Sequence, residues 1–552
     1  MLVEEIKKQL EIALLSQGIQ DPDCKLTEPA AHEHGDYATS VALKHAKKLG
    51  LTPIELAKKI ADSTPLGLYI EKIEIRAPGF INFFLSKSAL LTLLNKNDNT
   101  GSIKSGKVIL LEFGQPNTHK KPHIGHLFSY IYGESLARIL EKNGHTITRL
   151  NYQGDVGLHV AKCLYAYIKN KMDFSDKSLD EKVSYLQLCY QEGSKAYEED
   201  AAAKDVINVI NGKIYQKDSD IQELWAKTRG WSVDYYSQFE KNLGIKYDRY
   251  YFESQIAEFG KEIVTNATGT VFEKSEGAVI FKGEKYGLHT RVFINKLGYP
   301  TYEAKDIGLI AEKKKDYHFD FSLVTTATEQ NEYWKVITRV TTLLYPELEN
   351  KIKHLGFGMI NLSTGKMSSR TGHIIDAFSL VKMVQDEIKK NYPQDDATIN
   401  IIALSSIKYA FLKSESIKDK NFDIKTSIAH EGDSGPYLLY TYVRTRSIIN
   451  KSQIVSTPIP ENIDLNPEEE NLLRIICHYE EVIINAGVSY SPHLVAHYIF
   501  TLAKEFNFFY QKHSITKAEE GKNALRTQMT LKIGEIIKDG LYLMGIDTVD
   551  KM

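Results

Sequence analysis

Residues 107 to 153 hold the arrangement that most limits what this chain can fold into. "KVILLEFGQPN" reads as a strand of β-branched and leucine residues, closed by a Gly-Gln-Pro-Asn breaker. A helix is predicted over Ile124 to Lys142. Leu127, Ile131 and Ile139 recur there at helical spacing as an apolar stripe, and Asn143-Gly144 ends it. "HTITRLNY" supplies the next strand. Strand, helix and strand in this order make a βαβ unit, whose parallel sheet binds ligands beyond the carboxyl ends of its strands. The strand-to-helix turn is "NTHKKPHIGH", residues 117 to 126, with three histidines and two lysines.

The remaining chain is long enough for two to four domains at 552 residues. Residues 1 to about 90 mix helix and strand. "TPIELAKKIADS" is a helix with Thr52 as N-cap and Pro53 in its first position, and "IEKIEIRAPGFINFFLS" is two short strands about a Pro-Gly turn. Residues 160 to 250 are helical and charged, and strands return in "GTVFEKSEGAVIFKGE" and "TRVFINKLGYPTY". Beyond Pro393 nearly everything has helical periodicity, with an all-α domain from about residue 430 to the end. A net charge of −2 excludes a uniformly basic nucleic-acid binder, so any such surface is a local patch. No apolar run reaches the roughly 18 residues of a membrane span, and the acidic, amphipathic start does not resemble a signal peptide. Cys24, Cys163, Cys189 and Cys477 lie far apart, which argues against a zinc site or a disulfide framework and for a reducing cytoplasm.

Two short motifs carry chemistry. In the histidine turn, Gly125 allows a purine or phosphate to approach closely. His123 and His126 offer hydrogen bonds to oxygens that gain charge, at the positive end of a helix. Taken alone, this is equally a polar helix start. The second motif is "GKMSSRTG", residues 365 to 372, with Lys366, two serines and Arg370; taken alone it is a solvated turn. An H-I-G-H turn on a first βαβ unit followed far downstream by a K-M-S-S loop resembles the paired signature of class I aminoacyl-tRNA synthetases. Over nearly the whole chain the surrounding segments resemble the arginyl-tRNA synthetase family. They run, in that family's order, "LEFGQPNTHKKPHIGHL", "LNYQGDVGLHV", "YPTYEAKDIGL", "TEQNEYWK", "HLGFGMINLSTGKMSSRTG" and "EGDSGPYLLYTYVR". The N-terminal "HGDYATSVALKHAKK" and "APGFINFFLS" resemble its added domain.

The resemblance implies an α/β fold: a Rossmann-type parallel-sheet core, a small α+β N-terminal added domain and an all-α C-terminal anticodon-binding domain. The expected segments are 1–90, 105–380 with a helical insertion at about 165–250, a connecting helical region at 381–430, and 431–552. It implies activation of L-arginine by ATP and transfer to the 2′-hydroxyl of the terminal adenosine of tRNA(Arg), with bound tRNA needed for the first step. His123, His126, Lys120 and Lys366 are the expected catalytic groups, and Pro116, Gly125, Met359, Lys366 and Ser368 the further ATP contacts.

A guanidinium wants carboxylates in a planar fork, and Tyr302 and Asp306 sit four residues apart on one face of a helix start. By resemblance Glu112, Tyr302 and Asp306 hold the guanidinium, while Asn117 and Gln330 hold the substrate's carboxylate and amino groups. Taken singly, these are as readily a surface acid, a packing residue and a helix-start charge. Ser369 stands where the usual loop has a second lysine, and Lys120 is in place to substitute for it. His119 and Lys121 are expected to be solvated. Milder departures are Gly114-Gln115 for two serines, Val156 for an aromatic and Leu439 for a glutamine.

Phe80 and Asn82 match positions that contact the tRNA D-loop, and Tyr437, Tyr440 and Arg444 are candidates on the anticodon side. At least half of the aromatics in "GPYLLYTYVRTR" and "FNFFYQKH" are expected to be packing. With no metal-ligand cluster in the sequence, Mg²⁺ is expected to arrive with ATP. A cytoplasmic monomer with no membrane contact is the family expectation. Alternatives are a class I synthetase for another amino acid, a small-molecule nucleotidyltransferase, and a non-catalytic RNA-binding paralogue.

Overall fold

The computed structural model describes residues 2–19, 25–29, 32–95, 106–170, 172–363, 376–391, 394–452, 457–460 and 462–552. Its contacts divide the chain into two compact units. One comprises Met1–Ser102, Thr441–Val482 and Tyr498–Lys538, the other Ile103–Tyr440, Ile483–His497 and Asp539–Met552.

In the first unit the predicted cap forms. Thr52 and Glu55 make a reciprocal capping box around Pro53, and the helix Pro53–Ser63 buries Leu56, Ala57 and Ile60. Strands Ile70–Arg76 and Phe80–Leu85 pair antiparallel, with Tyr37–Thr39 on the other side of the second. The buried Asp36 carboxylate is met by the Arg474 guanidinium, and the Tyr37 hydroxyl donates to Glu481 at 2.6 Å. These contacts group the N-terminal sheet with C-terminal helices that the sequence reading set in a separate segment. Partners more than 400 residues apart leave no local trace.

The second unit is built on a five-stranded sheet. Its strands are β1 (Val108–Glu112), β2 (Thr146–Gln153), β3 (Arg249–Phe252), β4 (Phe321–Ala327) and β5 (Ile352–Phe357), all parallel, in the order β5-β4-β1-β2-β3. The order reverses between β1 and β4. A crevice therefore opens at their carboxyl ends, where neighbouring connections leave on opposite faces. Glu112 ends β1, in register with Val324 of β4 and Leu150 of β2.

Helix α1 (Ile124–Lys142) has the predicted bounds, yet it is more than an apolar stripe. Every residue from Leu127 to Ala137 is buried. The polar ones are satisfied inside: Ser129 accepts from the Gly114 amide at 2.9 Å, and Ser135 donates to the Leu543 carbonyl at 2.8 Å. Periodicity located the core face of α1, but cover on its other faces comes from distant segments.

Between β2 and β3 run helices α2 (Leu158–Asn170), α3 (Leu179–Glu199), α4 (Ala201–Tyr215) and α5 (Ser219–Leu243). Helix α6 (Glu253–Asn266) leaves β3, and α7 (Tyr302–Asp316) and α8 (Asn331–Leu344) flank β4. Three short strands, Glu273–Ser275, Ala278–Phe281 and Arg291–Ile294, form an antiparallel sheet before α7. Lys420–Phe422, in a region read as helical, is a strand pairing parallel with Ile360–Leu362. Three residues are too few to show alternation, and the pairing partner decides.

Candidate functional site

The site starts at the turn after β1. Gly114 (φ 88°) and Gln115 (φ 52°) carry the chain through left-handed backbone. A β-carbon on Gly114 would lie 2.6 Å from the Tyr247 hydroxyl and 2.7 Å from Tyr130, which explains a glycine here. The Thr118 amide donates to the Gly154 carbonyl at 2.8 Å, tying the turn to the end of β2. Asn117 lies so close over Gly154 that a β-carbon there would approach its Oδ1 to 2.2 Å. Pro116 is buried beside it.

The two histidines of H-I-G-H are the N-cap and third residue of α1, and they make a reciprocal capping box. The Gly125 amide donates to His123 Nδ1 at 3.1 Å, and the His123 amide donates to His126 Nδ1 at 3.2 Å. Each Nδ1 is thus an acceptor, so each neutral ring carries its proton on Nε2. Although His123 keeps an exposed edge, the protein around its ring and then the Lys120 ammonium lower its pKa to about 4. His126 is held well below 6.5 by burial, then by His123 and Lys120. At neutral pH the pair is two uncharged Nε2–H donors, ring centroids 3.8 Å apart, at a helix N-terminus. Gly125 is needed because a β-carbon would sit 2.9 Å from His123 Cε1.

His119 and Lys121 are expected to be solvated, and neither is. His119 is fully buried. Its ring nitrogens lie 2.9 Å from the Thr118 and Thr228 hydroxyls, and burial, then the Arg229 charge, lower its pKa to about 3. Lys121 is mostly covered and pairs with Asp180 at 3.0 Å. The cover comes from α3 and α5, folded from residues 60 to 110 positions downstream. Lys120 is half-buried, its Nζ 4.0 Å from the centre of the Tyr190 ring.

Carboxylates gather beside this turn. Glu112 is buried, ion-paired to Lys313 and accepting from Gln115 Nε2 at 2.5 Å. Glu253, the first residue after β3, pairs with Lys305 at 2.6 Å, both buried. Asp306 accepts from the Tyr333 hydroxyl at 2.5 Å and has no ion pair among the described residues. Burial raises its pKa to about 7; Tyr333 opposes, and Glu112 and Glu253 add to the rise. The buried Tyr152 hydroxyl, facing Glu253, Asp306 and Glu112, has no hydrogen-bond partner among the described residues. Tyr302 starts α7 and is 57% exposed, its ring 4.8 Å from Lys305 Nζ. The cluster thus has three carboxylates against two lysines, leaving one negative charge to be met.

Residues 89–424, more than half of the chain, match the model described as tRNA synthetases class I (R), catalytic domain. The chain belongs to the arginyl family of class I tRNA synthetases. Residues 1–85 match the arginyl tRNA synthetase N-terminal domain, and 438–552 the DALR anticodon binding domain. An arginine–tRNA ligase of Fusobacterium nucleatum is 29% identical over 96% of this chain and 95% of its own. One of Borreliella burgdorferi is 31% identical over 87% of each. The solved arginyl-tRNA synthetase of Thermus thermophilus shares the fold with a TM-score of 0.85 at 22% identity, over 100% of both chains.

Not all residues expected from the arginyl family gather in this crevice. Gln330 is exposed in the turn after β4, and Met359, 52% exposed, follows β5, its amide donating to Asp419 at 2.8 Å. Lys366, Ser368, Ser369 and Arg370 lie outside the described residues. In the first unit Phe80 is 39% exposed, whereas Asn82 is 3% exposed in the central strand, so Phe80 offers the accessible face. Arg444 there is half-buried, bonded to Asn507 and stacked on Tyr510. In the second unit Tyr440 is 40% exposed, Tyr437 half-buried and Leu439 fully buried. Of the suspected aromatics, Tyr442, Phe506 and Phe509 are core, while Phe508 and Tyr510 are at least 40% exposed. Val156 is likewise core, which accounts for an aliphatic there.

The sequence reading missed Glu253, Lys305, Lys313, Tyr152 and Tyr333. Glu253 had a signal: like Glu112, it is an acid at the carboxyl end of a parallel strand. Lys305 and Lys313 had none, since charged residues on a helix usually read as its solvated face.

Proposed function

We propose that this chain charges tRNA(Arg) with L-arginine, in the cytoplasm and as a monomer. The observation that carries the substrate is the recessed Asp306 carboxylate: it pairs with no cation among the described residues, while its neighbours Glu112 and Glu253 each have a lysine. A guanidinium is permanently charged and matches this one-charge deficit. Asp306, with Tyr302 and Glu112, takes the guanidinium, and Asn117 and Gln330 take the carboxylate and amino groups.

ATP enters as its Mg²⁺ complex. A carboxylate oxygen of arginine attacks the α-phosphorus, the bond to the bridging oxygen breaks, and magnesium pyrophosphate leaves. Little covalent work falls to the protein, so catalysis is positioning and charge stabilisation. The Nε2–H groups of His123 and His126 donate to phosphate oxygens as charge builds. Lys120 and Lys366 supply the cations, Ser368 and Met359 are further ATP contacts, and Pro116 and Gly125 leave room for the adenosine. The 2′-hydroxyl of the terminal tRNA adenosine then attacks the adenylate carbonyl and AMP leaves. Phe80 serves the D-loop, the buried Asn82 expected beside it being closed off in the central strand, and Tyr437, Tyr440 and Arg444 serve the anticodon arm.

Arginine-dependent ATP–pyrophosphate exchange, with and without tRNA, tests this. Exchange with arginine supports the assignment, and dependence on tRNA supports the coupling. Exchange with another amino acid sinks the pocket while keeping the class, and tRNA binding without exchange favours a non-catalytic paralogue. Lys120→Ala is expected to slow exchange roughly a hundredfold, about 3 kcal/mol of barrier; an unchanged rate removes Lys120 from the mechanism.

The Asp306 carboxyl also gives a pH signature. With its pKa near 7 in the free protein, a large fraction is protonated at neutral pH and loses its proton when the guanidinium binds. Apparent arginine affinity should therefore rise with pH, by up to about tenfold per unit below 7, and level off above about 8. Folding stability runs the opposite way on account of this group. Between its ordinary 3.8 and about 7 the folded chain binds the extra proton, so stability falls as pH rises through that window. Calorimetric arginine titrations from pH 5.5 to 8.5 check the binding slope; a flat profile contradicts it.

A further inference from the structure

The assignment of Lys120 to the phosphates leaves open what holds its ammonium beside the histidine turn. A lysine side chain has four rotatable carbons and gives up substantial rotamer freedom when fixed. Helix α3 meets the turn at two points. Gln187 accepts from the Lys121 amide at 3.0 Å, and Tyr190, one turn further along the same face, places its ring 4.0 Å from Lys120 Nζ. The backbone is pinned from α5 as well: the buried Tyr236 hydroxyl lies 2.6 Å from both the Asn117 and Lys120 carbonyl oxygens. Lys120 has no ion pair among the described residues, so its contact is a cation over the face of an aromatic ring. The contact is felt in return. Burial raises the Tyr190 phenol, yet hydrogen bonding to Lys120, then the Lys120 charge, with Ser194 and Lys162 adding to them, outweigh it and lower its pKa.

We infer that Tyr190, on the helical insertion, is a positioning residue that holds the Lys120 ammonium beside His123 and His126 for transfer to the phosphates of a nucleoside triphosphate. The inference depends on the phosphate role proposed for Lys120. A ring face suits this task better than a carboxylate. It fixes a cation's place without neutralising it, so the charge stays available to an anion that arrives. The contact also gives the helical insertion a part in activation, through α3.

The test is a double-mutant cycle on pyrophosphate exchange in the full-length protein with tRNA present. Tyr190→Ala should lower kcat about tenfold and leave KM for arginine unchanged, and Tyr190→Phe, which keeps the ring face, should stay within about twofold of the parent. Tyr190→Leu keeps the packing without the π face and should follow Tyr190→Ala. Its thermal melt shows whether the fold is intact. Tyr190→Ala combined with Lys120→Ala should be no slower than Lys120→Ala alone. Additive losses, with Lys120→Ala itself impaired, overturn the positioning role alone. A normal rate for Lys120→Ala overturns the phosphate role and the positioning role together. A Tyr190→Leu variant as active as Tyr190→Phe also overturns the inference, because the ring face would then be dispensable.

Discussion

Asp306→Asn is expected to lower kcat/KM for arginine by roughly a hundred- to a thousandfold, mostly through KM, while raising the melting temperature of the free protein at pH 8. Both effects follow from one charge. The carboxylate is recessed beside Glu112 and Glu253, and its pKa near 7 records that ionising it there is unfavourable until a cation arrives. Asparagine keeps the size and can still accept from the Tyr333 hydroxyl, so the fold sheds a penalty. The guanidinium loses a charge-assisted partner, and removing one side of such a pair typically costs about 2–5 kcal/mol. The pH dependence of arginine affinity should vanish in the same variant. Exchange kinetics beside a melting curve check the pair. A variant that loses stability at pH 8, or keeps its arginine KM, refutes this account of the pocket.

His126→Asn should separate two roles of one side chain. The cap uses Nδ1, which accepts the His123 amide at 3.2 Å, and an asparagine Oδ1 can take over that acceptance. The chemistry uses Nε2–H, which asparagine does not reproduce. The variant should melt near the parent and lose roughly a hundred- to a thousandfold in kcat, the loss seen when one preorganised donor to developing charge is removed. His126→Ala should lose as much rate and in addition about 1 kcal/mol of stability, since the His123 amide loses its acceptor and the capping box its second half. If asparagine restored activity, the histidine would be a cap alone.

The same residue shows how far a sequence can be read. The spacing of the two histidines was visible as a polar helix start and as a catalytic signature, as if these were rival readings. The structure makes them one arrangement, because the N-cap and third positions of a helix are where two side chains can satisfy each other's backbone amides. The bounds of α1, the Thr52 cap and the strands about Pro78-Gly79 were legible for the same reason: they depend on residues within a few positions of one another. His119 was misread as solvated because its burial depends on α5, over a hundred residues on.

The sequence by itself determined the βαβ start, the placing of the histidine turn at a strand's carboxyl end, most of the strands and helices that follow, and the motifs that mark the arginyl family. Local propensity and short-range hydrogen bonds carry all of these. Only the tertiary structure decided which charges meet. It paired Glu112 with Lys313 across 201 positions and Glu253 with Lys305 across 52, left Asp306 with no ion pair among the described residues, and laid Tyr190 under Lys120. A charge's meaning depends on its neighbours and its exposure to water. Both are set when the chain closes on itself, and neither is written beside the residue that bears the charge.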